Sequence, residues 1–180
     1  MVLIRNCISR KNLIFMKKSN RLLKRINKLK KDKKILILAS NYYEDICDRL
    51  IDGATDLIES FNKSKRVNIK YDIKYAPGSF EIPFLINKKL KFYDGFIAIG
   101  CIIRGKTYHF ELIANEVARK IMDISIDSNK PIGFGVITCE NMKQANERSL
   151  RDSKNNKGRE AAKACIGSLF EFTIINRNNG

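Results

Sequence analysis

A lone histidine, His109, lies in the segment Gly100-Cys-Ile-Ile-Arg-Gly-Lys-Thr-Tyr-His-Phe-Glu111, which runs from an apolar strand through a glycine turn toward a helix. Imidazole titrates near neutral pH when unperturbed. Any histidine-mediated proton transfer in this chain therefore falls to His109, with Glu111 a polar neighbour. Immediately upstream, Arg104-Gly-Lys-Thr107 has the parts of an anion cradle. Gly105 lets the backbone approach a ligand, the opening amides of the next helix face outward, and the helix dipole favours negative charge. Lys106 adds a point charge. The G-x-x-x-x-G-K-[ST] pattern is absent, so this is not a Walker loop. The same four residues also fit an ordinary strand–helix turn with solvated charges.

A second constellation is Ala76-Pro-Gly-Ser-Phe-Glu-Ile-Pro83: a rigid turn, a helix start and an aromatic beside a carboxylate. Phe80 either stacks on a planar ring, with the amides of Phe80 and Glu81 donating hydrogen bonds, or is buried at a helix entry. Tyr42 is either a second aromatic wall or a surface tyrosine. Arg148 ends a short helix and Lys157 lies in the loop after it; each either binds phosphate or is solvated. Phe134 lies within a strand, where the default for Phe is core. Cys101 reads as a small hydrophobe, because nothing beside it ensures a thiolate.

The elements that must position these groups alternate. Ile35–Ser40 and Phe96–Ile103 are short apolar runs that read as buried strands, Val67–Tyr75 alternates, and Pro131–Thr138 is a fourth strand. Glu44–Phe61 carries apolar residues at helical spacing. Ser79 is an expected N-cap for a helix to about Leu90, and Thr107 for a helix from Tyr108 to about Ile126, which puts His109 about half a turn inside. Asn141–Leu150 and Gly158–Phe172 read as helices. This order calls for a parallel sheet with helices on both faces. Ligands then collect at the carboxyl ends of the strands, where Asn41–Tyr43, Ala76–Glu81 and Arg104–His109 converge.

At 180 residues the chain has room for one domain with a sizeable core. Its net charge of +16 is uneven. Residues 1–33 hold 12 Lys/Arg against one acid, Asp32, a net of +11; residues 34–180 hold 23 against 18, a net of +5. The division is a basic arm, 1–33, disordered or partly helical, and a body, 34–180. The arm reads as a solvated tail, a transit peptide or, least supported for want of interleaved aromatics, a polyanion-binding segment. Five cysteines with no metal-like spacing suit reduced thiols in a cytosol-like compartment. No apolar run reaches the ~18–20 residues of a membrane span.

Five segments in order carry a family resemblance: Ala76–Pro83, Gly100–Glu111, Gly133-Phe-Gly-Val-Ile-Thr138, Gln144-Ala-Asn-Glu-Arg148 and Asn156-Lys-Gly158. Together they resemble the 6,7-dimethyl-8-ribityllumazine synthases of riboflavin biosynthesis, over about residues 34–172. The resemblance implies a three-layer α/β/α sandwich on a four-stranded parallel sheet, flavodoxin-like. It implies condensation of 5-amino-6-(D-ribitylamino)uracil with 3,4-dihydroxy-2-butanone 4-phosphate, releasing phosphate and water, with no metal or redox cofactor. By the same resemblance Tyr42 stacks on the pyrimidine. Ser79, Phe80 and Glu81 hold the ribityl chain, and Cys101, Ile102 and Ile103 line the ring. Lys106, Thr107 and Arg148 bind the butanone phosphate, Lys157 belongs to the substrate-binding set, and His109 moves protons. The resemblance also implies that Phe134 and Arg148 come from a neighbouring subunit and that the assembly is a homopentamer or a multiple of it. Riboflavin synthase is an implied partner, with neither membrane nor nucleic acid. The implied location is cytoplasmic, or a plastid if residues 1–33 are a transit peptide. Lys106 departs from the Glu or small residue commoner in the family, and Tyr42 from Phe or Trp; Lys106 is the feature that leaves open the alternative, a non-catalytic relative that binds a lumazine or flavin or serves as a scaffold.

Overall fold

The computed structural model describes residues 32–65, 68–151 and 155–178, without the side chains of 64, 65 and 171–178. The readings made for residues 1–31 of the basic arm, Cys7 among them, lie outside the described residues, and Lys33 belongs to the first strand rather than to the arm.

Among the described residues four strands form one parallel sheet: β1 (Lys33–Ser40), β2 (Ile69–Ala76), β3 (Gly95–Ile103) and β4 (Ile132–Cys139), in the order β2-β1-β3-β4. The helices are α1 (Glu44–Lys65), α2 (Ile82–Lys89), α3 (His109–Ser128), α4 (Met142–Ser149) and α5 (Lys157–Asn178). β1 and β3 lie centrally, paired from Ile35 with Gly95 to Ala39 with Ile99. Covered on both faces, they are near-continuous apolar runs, as buried parallel strands must be. Alternation divides their side chains between two cores. Ile35, Ile37, Ile97 and Ile99 pack with α1 and α5; Leu36, Leu38, Phe96 and Ala98 pack with α2 and α3. The expected three-layer sandwich is the observed one.

β2 is an edge, and its exposed side carries charge. Asp72 pairs with Lys34 at 2.8 Å and accepts from the Tyr93 hydroxyl at 2.7 Å. Such charges discourage pairing with a foreign strand.

Most element ends shift by one to three residues, α1 runs four residues past the expected Phe61 and α5 six past Phe172, and two expected caps are absent. Ser79 does not cap a helix: it opens a 3₁₀ turn, Ser79–Glu81, that leads into α2, and Gly78 precedes that turn. Thr107 does not cap α3 either. The helix starts at His109 after Tyr108, with no side-chain cap, so His109 is its first residue rather than half a turn inside. At the far end Asn129 closes α3 in the left-handed conformation, φ 52°. Asn141 does cap α4, accepting from the amide of Gln144 at 3.0 Å.

Candidate functional site

The turns after β1, β2 and β3 meet at the carboxyl edge of the sheet. The amide of Asn41 donates to the carbonyl of Ala76 at 2.9 Å, fastening the first turn to the second. The amide of Arg104 donates to the carbonyl of Cys139 at 2.9 Å, fastening the third to the end of β4. Between these turns lies a cavity of about 270 Å³. Tyr42 and Tyr43 form one side, the Ser79–Glu81 turn another, and Cys101–Ile103 the floor; His109 stands at the mouth. Tyr42 and Tyr43 meet edge to face, ring centres 5.0 Å apart at 76°. Tyr42 and Phe80 are exposed, 73% and 57%, so Phe80 is not core and both rings are open to contact.

Ser79 is 7% exposed, yet its hydroxyl has no hydrogen-bonding partner. It reaches toward Gly100, where a Cβ would stand 2.5 Å from Ser79 Oγ. Glycine at 100 is thus what lets the turn settle on the strand.

Cys101 is a thiol here. Burial pushes its pKa up to about 12, and the neighbouring Cys139 and Cys47 act in the same direction. It therefore contributes shape rather than a nucleophile. Cys47, Cys101, Cys139 and Cys165 are free and buried.

The anion cradle takes a different form from the one expected. Arg104 is not free to meet a ligand. Its guanidinium pairs with Glu111, with Glu140 at 2.6 Å, and lies 4.3 Å from the centre of the Phe110 ring. Glu111 is accordingly Arg104's partner rather than His109's. Arg104's hydrogen bond, chiefly, holds the Glu111 carboxyl below its ordinary range. What remains exposed is Gly105, Lys106, Thr107 and the uncapped opening of α3. Amides at a helix start have no partner within the helix, so this corner can receive an anion.

Five residues expected in the site do not line this cavity: Lys106, Thr107, Phe134, Arg148 and Lys157. Lys106 and Thr107 border it in the turn before His109. Phe134 is 45% exposed, not core; it lies on edge strand β4 opposite Ala98, sharing by alternation the face of Ile132 and Val136. Arg148 is exposed on the last turn of α4. Lys157 is the first residue of α5, not a loop residue, and its ammonium binds Glu160 at 2.8 Å. Tyr43 and Gly78, placed at this edge in the sequence only as members of the segments Asn41–Tyr43 and Ala76–Glu81, also line the cavity, as does Ile113, which the sequence did not point to. The signal for Tyr43 was its place beside Tyr42 at the mouth of a strand.

Among the described residues no group of three or more His, Cys, Asp or Glu side chains is placed to hold a metal ion, and no helix is long and apolar enough to cross a membrane.

Comparison with known proteins shows the family. A family model described as 6,7-dimethyl-8-ribityllumazine synthase matches residues 32–171. A Bartonella henselae protein of that name is 42% identical over 137 residues, covering 73% of this chain and 83% of the relative. One from Bartonella tribocorum is 39% identical over 145 residues, covering 78% and 91%. One from Mesorhizobium japonicum, named 6,7-dimethyl-8-ribityllumazine synthase 1, is 41% identical over 139 residues, covering 73% and 80%. The match takes in all four strands and every turn that builds the cavity, and on that ground the chain belongs to the 6,7-dimethyl-8-ribityllumazine synthase family.

Proposed function

We propose that the cavity at the carboxyl edge of the sheet is where 5-amino-6-(D-ribitylamino)uracil condenses with 3,4-dihydroxy-2-butanone 4-phosphate. The observation that carries this reading is the convergence of Tyr42, the Ser79–Glu81 turn, the Cys101–Ile103 floor and His109 on one cavity. The pyrimidine stacks on Tyr42, with Cys101, Ile102 and Ile103 along its edge. The amides of the Ser79–Glu81 turn hold the ribityl hydroxyls, and Ser79 Oγ is a buried group still lacking a partner. The phosphate sits at the start of α3 with Lys106 and Thr107.

The chemistry asks little beyond placement and proton handling. A primary amine and a ketone react on their own, so fixing them side by side supplies much of the acceleration. The amine adds to the carbonyl and water leaves; phosphate is then eliminated, and ring closure expels a second water. Each step moves a proton at a heteroatom or carbon near the cavity mouth. His109, the chain's one imidazole, is the group suited to carry it. Lys106, Thr107 and the helix amides stabilise the departing phosphate.

The reading includes a homo-oligomer, a pentamer or a multiple of it, with sites shared between subunits. Two observations support it. The cavity of about 270 Å³ falls just under the ~300–1,000 Å³ usual for ligand sites, as a half-built site would. Phe84, Leu112, Met122, Ile126 and Phe134 are exposed, large apolar side chains that a neighbouring subunit would cover. On this reading Phe134, Arg148 and Lys157 complete the cavity of an adjacent subunit. A reducing, cytosol-like location suits the free thiols of the described cysteines, and riboflavin synthase is the partner the product implies.

The test is product formation in mixed oligomers. His109→Ala and Arg148→Ala proteins, each slow alone, are unfolded, mixed and reassembled. Recovery of lumazine formation supports a site built from two subunits. Mixed oligomers no faster than the parents would contradict sharing, and ligand binding without turnover in the unmodified protein would contradict catalysis.

A further inference from the structure

Asn156 is fully buried, 0% exposed, yet wholly polar at its tip. Its amide nitrogen lies 3.0 Å from the carbonyl of Arg49 in α1, and 2.9 and 3.2 Å from those of Ser149 and Leu150 at the end of α4. Its Oδ1 accepts from the amide of Arg159 at 3.0 Å and so caps α5. One side chain thus joins three helices. A carboxamide has two N–H hydrogens for these three carbonyls, so the bonds are shared. The last carbonyls of a helix have no partner within it; Asn156 supplies one for α4.

The surroundings are cut to fit. A Cβ at Gly53 would stand 2.2 Å from Asn156 Oδ1, and one at Gly158 1.8 Å from the carbonyl oxygen of Leu50. Arg49 braces the same corner, donating from Nε to Ser149 Oγ at 3.2 Å and from its terminal nitrogen to Asn146 Oδ1 at 2.7 Å. Ser149 is itself 0% exposed.

The residue before Ser149 is Arg148. α4 runs only from Met142 to Ser149, two turns, too short to hold itself in water. Its two ends therefore decide where Arg148 points: Asn141 fixes the first and Asn156 the last. The Arg148 charge is felt at the carboxyl end of β4, where it pulls down the Cys139 thiol that burial pushes up.

We infer that Asn156 is a positioning residue for the phosphate-binding arginine: through the carbonyls of Ser149 and Leu150 it sets the end of α4 and hence the direction of Arg148. This rests on the reading above in which Arg148 binds the butanone phosphate. Asn156 touches no substrate and acts only through α4.

The experiment compares Asn156→Ser, Arg148→Ala and the double variant, in assembled protein, with both substrates varied and inorganic phosphate as a competing ligand. Serine keeps an oxygen able to cap α5 and brings no charge; Asn156→Asp is a second variant that keeps the cap and loses the donors. The expected result is a KM for the butanone phosphate raised about tenfold or more, the scale on which a displaced binding group acts. The inhibition constant of phosphate rises alongside, and the KM for the pyrimidine is unchanged. Adding Asn156→Ser to Arg148→Ala then raises KM no further. Equal loss for both substrates, a loss in kcat alone, or full additivity with Arg148→Ala would overturn the inference. If Arg148→Ala itself leaves the phosphate KM unchanged, the phosphate-binding reading fails and the inference falls with it.

Discussion

The guanidinium of Arg104 holds the carboxylate of Glu111 across the turn that carries Lys106 and Thr107, and the same guanidinium reaches Glu140 at the end of β4. The start of α3 is thereby tied both to the turn before it and to the neighbouring strand, and His109 sits inside that tie. A residue that looks like a ligand group in the sequence is a strut in the fold.

That strut makes stability fall in acid. Glu111's carboxyl is held below its ordinary value, chiefly by Arg104's hydrogen bond and then by its own backbone amide. A depressed carboxyl contributes stability that is present above its unfolded pKa and lost as pH falls through its folded one. Melting temperature should therefore hold above about pH 5 and drop below it. Arg104→Gln should remove part of that drop, because Glu111 then titrates as it does when unfolded. Thermal melts from neutral to acid pH check this; identical profiles for the two proteins would contradict it.

Cys101 lines the cavity but should do no chemistry. With its pKa pushed up to about 12 it is protonated at neutral pH. Cys101→Ala should keep turnover within a few-fold and cost roughly 1 kcal/mol for the lost packing. Steady-state rates and a denaturant titration measure the two effects. A collapse in kcat with assembly intact would make the thiol a participant.

Two glycines should respond oppositely to alanine. At Gly133, on β4, a Cβ would stand 2.1 Å from the backbone carbonyl oxygen of Ala161. The clash is with main chain, so Gly133→Ala should destabilise by at least ~1–3 kcal/mol. At Gly167, inside α5, nothing lies within 4 Å of the added Cβ. Gly167→Ala should stabilise by about 0.5–1 kcal/mol through helix propensity. Equal shifts in melting temperature would refute the close packing of β4 on α5.

The parts legible in the sequence are those fixed by burial period. β1 and β3 read correctly because both faces are covered, so Ile35–Ser40 and Phe96–Ile103 are unbroken apolar runs. The convergence of three turns follows from parallel topology alone. What failed depended on tertiary detail. Ser79 and Thr107 are capping types at helix starts, but Ser79 turns inward against Gly100 and α3 begins one residue later than expected. Phe134 reads as core because most strand positions are; β4 is an edge, and at Phe134 the helical layer leaves the ring open. The pairing of Arg104 with Glu140 joins residues far apart in sequence, beyond any local pattern. Asn156 was within reach: an Asn directly before a helix is an N-cap signal, although its hold on α4 was not.

His109 should carry the proton transfers without carrying the fold. Its side chain is exposed at the first position of α3, so His109→Ala should leave folding and assembly intact. Sedimentation and thermal melts indistinguishable from the unmodified protein are the expected control. A lost oligomer would make the residue structural.

The decisive measurement mixes both substrates with the unmodified protein, with His109→Ala, and with no protein, following lumazine absorbance and fluorescence. The expected order is a fast, protein-dependent rate for the unmodified chain and a rate lower by on the order of 10²-fold for His109→Ala, still above the uncatalysed background because the binding groups remain. An unmodified protein no faster than background would contradict catalysis at this cavity. Equal rates for the two proteins would remove His109 from the mechanism.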